Sequence, residues 1–240
     1  MNGFRVSLGF LTVLPIGKRG ELAPGGLGRS AGWFPSVGMV LGAILVLVWG
    51  LARWLFPQPP AAALVVLAWA MLTGGLHLDG LADSCDGLFG IGTRERRLQI
   101  LGDPRLGAFG VIGLVLFLTL KVAAVAAVRH PWPLVLAPIL GRLAILHVAV
   151  RRPARPSGLA KEFQSGLRPR ILLTATVSAA LVSGLFGLPG LLCFLLAALA
   201  AVCIGRYAER QVGGVTGDVL GGACEVAELL VLLVGASRLG

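Results

Sequence analysis

The chain has 240 residues, of which 56% are hydrophobic and only 13% charged, and its mean hydropathy is +0.88. That is too apolar for a soluble globular domain, where roughly 45–50% apolar and about 25% charged residues are usual. The net charge of +10 does not indicate nucleic acid, because Lys and Arg fall in short segments between apolar runs and no aromatic residues interleave with them.

Apolar runs near the ~20 residues needed to cross a bilayer recur along the sequence, so the fold class is all-α, a polytopic integral membrane helical bundle forming one catalytic domain over residues 1–240. Residues 1–30 read as a cytoplasmic or interfacial segment. Their apolar stretch from Val6 to Ile16 is followed by Lys18 and Arg19 and by no small-residue cleavage site, which argues against a removed signal peptide. About seven transmembrane helices follow, at roughly 31–52, 61–78, 106–128, 133–150, 171–187, 189–204 and 219–236. Pro57, Pro59 and Pro60, then His130, Pro131 and Pro133, then Gly187 to Gly190 punctuate the gaps.

Of the 21 Lys and Arg, only Arg53, Arg129 and Arg238 fall on one side of this threading, and Lys121 and Arg142 fall within spans. The other sixteen lie in residues 1–30, 79–105, 151–170 and 205–218, which the positive-inside rule places in the cytoplasm. A cation inside a span must face the bundle interior, find a partner or reach an interface. For Arg142 both a phosphate-binding role and pairing with a buried carboxylate are open. Cys85, Cys193, Cys203 and Cys224 form no C-x-x-C pair, so they suggest small packing residues rather than disulfides or zinc.

Seven of the eleven acidic residues are concentrated in three short segments. In the first, His77 to Gly87, Asp79, Asp83 and Asp86 stand at i, i+4 and i+7 and share one helical face. Three neighbouring anions repel one another, and hard oxygen donors without thiolates suit a divalent cation, Mg²⁺ or Mn²⁺, better than zinc. His77 beside them is a candidate general base or substrate contact. In the second segment, Gly102 to Gly110, Asp103 and Arg105 stand among glycines, where the guanidinium and an open backbone could hold a phosphate. In the third, Gly213 to Glu228, Gly217 offers the same open backbone, and Asp218, Glu225 and Glu228 share a helical face. Glu225 and Glu228 would sit about 10 and 15 Å into the span, so they either share a cation with the first stripe or pair with Arg142 or Lys121. Together these elements suggest metal-assisted transfer of a phosphate-linked group.

Phe10 to Pro15, Gly74 to Gly87, Asp103 to Gly107, Ala154 to Leu159 and Gly213 through Glu228 together resemble the cobalamin synthase (adenosylcobinamide-GDP ribazoletransferase) family of integral membrane enzymes. The likeness runs in order from about residue 10 to residue 236. Val13, Ser84 and Pro104 depart from the family pattern, and Val13 puts a substrate contact from the N-terminal segment in doubt. The resemblance implies that adenosylcobinamide-GDP and α-ribazole, or its 5′-phosphate, are joined with release of GMP and with Mg²⁺, in a bacterial cytoplasmic (inner) membrane with the active site facing the cytoplasm. Membrane lipid is then an expected partner, a homo-oligomer is open, and nucleic acid is not expected. On that reading Asp79, Asp83, Asp86, Asp218, Glu225 and Glu228 bind metal, His77, Asp83 and Asp218 are catalytic, and Asp103, Arg105, Arg142 and Gly217 hold phosphate. The rivals are a CDP-alcohol phosphotransferase-like enzyme, poorly matched because Asp83 follows Ala82 where an Arg is called for, and a divalent-cation transporter using the acidic stripes as a pathway.

Overall fold

The computed structural model describes residues 3–15 and 23–238, which form α-helices and no strand. Helix α1 (Gly3–Leu11) docks on the bundle through Val6, Leu8 and Leu11, with the Phe10 ring stacked 6.2 Å from that of Phe34. Ile16, Lys18 and Arg19, the end of the expected interfacial segment, lie outside the described residues. The short α2 (Gly26–Ser30) runs into α3 (Phe34–Leu55), and the chain returns in α4 (Gln58–Thr73).

The predicted second span, 61–78, ends sooner than expected. Gly74 and Gly75 both take left-handed backbone (φ 62° and 71°), which closes α4 and turns the chain by 93° into α5 (Leu76–Phe89). Only glycine adopts two such residues in succession without a Cβ penalty. The first acidic stripe therefore lies on a separate helix, crosswise to the span before it.

Helix α6 (Arg94–Ile100) is a short surface piece, and α7 (Ala108–Ala127) and α8 (Trp132–Ala149) form the next hairpin. Helix α9 (Leu159–Gly166) precedes α10 (Pro169–Gly184), α11 (Gly187–Val212) and α12 (Gly217–Ala236). Prolines in the first turns of α4, α8 and α10 start those helices where a missing N–H costs nothing. By length and apolarity five helical stretches are long enough to cross a membrane: Gly26–Leu55, α7, α8, α11 and α12. The bent α4–α5 pair makes a sixth if taken as one span, and α10, with 16 residues, is a shorter apolar helix. Each of the seven predicted runs is thus helical, while five to six reach spanning length.

Helix α8 is apolar all round and is buried along most of its length, with α12 almost as enclosed. Between membrane helices close approach depends on small residues. Gly38 and Gly42 of α3 meet the backbone of α8, where a Cβ on Gly42 would come within 2.7 Å of the Val135 Cα. Gly42→Leu should therefore lower stability by about 1–3 kcal/mol or more through overpacking. Gly50→Ala, whose Cβ would meet nothing, should be neutral or stabilising. Thermal unfolding in detergent checks both.

Candidate active site

At the end of the bundle where α8 stops and α12 starts, a cavity of about 240 Å³ is lined by His77, Asp79, Arg155, Thr216, Gly217 and Asp218, among others. Three helices begin at this cavity: α5 at Leu76 and His77, α9 at Gly158 and Leu159, and α12 at Thr216 and Gly217. The first N–H groups of a helix lack intrahelical acceptors and carry its positive dipole end, so the cavity wall favours an anion.

Helices α5 and α12 cross where Gly80 faces the backbone of Asp218 and Gly221; a Cβ on Gly80 would lie 2.9 Å from the Asp218 carbonyl oxygen. That crossing brings the two acidic segments together. Asp83 feels the negative fields of Asp218 and Asp79, and Asp218 that of Asp79. Thr216 caps α12, and its hydroxyl donates to Asp218 Oδ2 at 3.0 Å. Three carboxylates thus share one region, a donor set suited to a hard divalent cation. Among the described residues no three His, Cys, Asp or Glu side chains close into a ligand cage. Mg²⁺ tolerates this, because it keeps waters and substrate phosphates beside one or two carboxylates.

The other predicted ligands are committed elsewhere, which corrects the expected set. Asp86 accepts the Gly107 N–H at Oδ2 and the Gly110 N–H at Oδ1, both at 2.8 Å, so it caps the start of α7. A Cβ at either glycine would collide with that carboxylate. Glu225 and Glu228 pair with buried cations. Lys121 Nζ reaches Glu225 Oε2 at 2.7 Å and Glu228 Oε2 at 2.8 Å, and Arg142 Nη1 donates to Glu228 Oε1. Trp69 lies under the Lys121 ammonium, 4.1 Å from ring centroid to Nζ. Of the alternatives open for Arg142, the structure therefore shows carboxylate pairing, fully buried, and not a phosphate site. Two cations against two anions leave this quartet neutral, as a low-dielectric interior requires.

His77 is buried at the cavity wall, and its Nε2 has no hydrogen-bond partner among the described residues. Gly217 and Asp218 line the cavity. Arg105 and Asp103 do not; they form an exposed bidentate pair, Nε to Oδ1 at 2.9 Å and Nη2 to Oδ2 at 2.7 Å. Those bonds hold the Asp103 carboxyl at about 2, below its usual range, so the pair is intact at neutral pH and is lost only as pH falls through that value.

Arg155 is the residue that sequence reasoning missed. It faces Asp218 with its charge and donates from Nη2 to the Leu98 carbonyl at 2.5 Å. Its segment, Ala154 to Leu159, carries little meaning alone; only the fold sets it against the carboxylates.

The sequence profile of the cobalamin-5-phosphate synthase family matches residues 3–236. The chain belongs to this family. Curated relatives named adenosylcobinamide-GDP ribazoletransferase include those of Stutzerimonas stutzeri (strain A1501), 42% identical over 98% of both chains, and Roseiflexus sp. (strain RS-1), 40% identical over 94% of this chain and 86% of its own. A third, from Bradyrhizobium diazoefficiens, is 38% identical over 97% of this chain and 92% of its own. No solved structure matches the chain. The family match covers every helix of the bundle, α1 to α12, and therefore both the carboxylate cavity and the buried quartet.

The quartet and the cavity carboxylates predict opposite responses. Glu228→Gln leaves a buried cation uncompensated and should cost about 3–5 kcal/mol. Asp218→Asn, at the cavity wall, should leave the unfolding midpoint in detergent within about 1 kcal/mol of the parent.

Proposed function

We propose that the chain joins α-ribazole, or its 5′-phosphate, to adenosylcobinamide-GDP and releases GMP at the cavity between α5, α9 and α12. The observation that supports this reading is the convergence of three helix N-termini and two carboxylates, Asp79 and Asp218, on one cavity with Asp83 within reach of their charge, in a family whose relatives carry that transferase name. A ribazole hydroxyl oxygen bonds to the cobinamide-linked phosphorus. The bond from that phosphorus to the bridging oxygen breaks, its electron pair leaves with GMP, and the hydroxyl proton passes to a base.

His77, which lines the cavity, or one of the neighbouring carboxylates takes that proton. The open N–H groups from Thr216 to Gly217 and at Gly158 hold phosphate oxygens, with Arg155 at the rim. Asp79, Asp83 and Asp218 would hold Mg²⁺, with Mn²⁺ as a substitute, and the ion supplies neutralisation of the pyrophosphate and of the departing phosphate. A cavity of about 240 Å³ takes a phosphoryl group and part of a ribose, so the corrinoid ring and the guanine lie outside it.

The cavity lies at the end of the bundle that carries the basic segments, and the positive-inside rule supports a site facing the cytoplasm from a bacterial inner membrane. A cation pathway is disfavoured, because the two acids deepest in the bundle are neutralised by Lys121 and Arg142.

Purified protein given adenosylcobinamide-GDP, α-ribazole and Mg²⁺ should form GMP and a cobamide in equal amounts. No product beside an active control enzyme removes the reading. Chelation by EDTA should abolish turnover, and added Mg²⁺ should restore it. Asp83→Asn should lower kcat at least ~100-fold with the fold intact, whereas Asp86→Asn should act mainly on stability, by about 1 kcal/mol, through the weakened cap on α7. His77→Asn should lower kcat by roughly 10²–10⁴.

A further inference from the structure

A second cavity, of about 420 Å³, adjoins the first and shares Pro153 and Arg155 with it. Arg94, Arg152, Arg155 and Lys161 line it together with Gln164, and no carboxylate does so among the described residues. None of these four cations forms an ion pair among the described residues. They come from three separate places, the start of α6, the 151–158 loop and α9, so the concentration of charge is a product of the fold and not of one basic run.

Two of the four are fixed in position. Arg94 Nε donates to the Val212 carbonyl at 2.9 Å, and Arg155 Nη2 donates to that of Leu98. Each guanidinium keeps further N–H donors free for a ligand. The loop between them is tied to the residues that precede α12: Ala154 N–H donates to the Val215 carbonyl, and Val215 N–H to that of Arg152, both at 2.9 Å. The basic cavity and the carboxylate cavity are therefore held in one relative position, with Arg155 as their shared wall. The first is smaller than the ~300–1,000 Å³ usual for a small-molecule site, and the second falls within that range.

We propose that this basic cavity binds the nucleoside monophosphate half of the nucleoside diphosphate substrate, and keeps it as product, while the reacting phosphorus lies across Arg155 beside the carboxylates. This rests on the transferase reading above, but binding is measured without turnover, so the two can fail separately. The phosphate could equally come from a lipid headgroup, since basic pockets at membrane surfaces also take these.

The test uses the full chain in nanodiscs of phosphatidylcholine, with GMP and guanosine as probes in equilibrium dialysis. GMP should bind, guanosine should bind at least tenfold more weakly, and affinity for GMP should fall as KCl is raised. The double variant Arg152→Gln, Lys161→Gln changes two exposed side chains. It should lose at least tenfold in GMP affinity with an unchanged unfolding midpoint, while Asp83→Asn keeps GMP binding. Equal binding of GMP by the double variant and the parent would overturn the proposal, as would equal binding of GMP and guanosine. A third arm replaces part of the phosphatidylcholine with phosphatidylglycerol. If the double variant loses association with that lipid but not with GMP, the cavity is a headgroup site and the proposal is wrong.

Discussion

A carboxylate in the hydrocarbon layer has no water to solvate it, and the interior of this bundle is arranged around that fact. Glu225 and Glu228 lie well inside α12 and are met by Lys121 from α7 and Arg142 from α8, with the Trp69 ring of α4 beneath the ammonium. Three helices are thereby tied at one level by charge and α4 by the ring contact, and separating α7, α8 or α12 would strand an ion at a cost of several kcal/mol. Because α12 is a continuous helix, fixing Glu225 and Glu228 also fixes the direction of Asp218 two to three turns earlier. The position of Asp218 at the cavity depends in this way on neutralisation deeper in the bundle.

The opposing carboxylates reach Asp218 by a different device. The Gly74–Gly75 turn stops α4 and swings α5 across the bundle, and the glycines at the α5–α12 crossing let the two backbones nearly touch. Asp79 and Asp83 then face Asp218, whereas Asp86, on the same stripe but further along, is taken by the start of α7. One helical face thus divides its acids between the neighbourhood of Asp218 and the cap of α7.

The basic segments have a similar double character. Their distribution along the chain follows the positive-inside pattern, and folding gathers four of their cations at one cavity beside the carboxylates. The positive and negative walls adjoin, and Arg155 belongs to each cavity.

Composition and periodicity alone determine the membrane class, the helical architecture and the three acidic segments, because each depends on residues close together in the chain. Spacing also points to Asp79, Asp83 and Asp218, which the fold brings near one another. It does not separate them from Asp86, Glu225 and Glu228, since residues that share a helical face look equivalent until their neighbours on other helices are known. Arg142 shows the same limit: a lone arginine in a span reads as phosphate ligand or counter-ion alike, and only Glu228 opposite it decides. Arg155 and Thr216 become recognisable only when the 151–158 loop is joined to the segment before α12. Which charge meets which is a property of contacts between helices far apart in sequence, and that is what the tertiary structure decides.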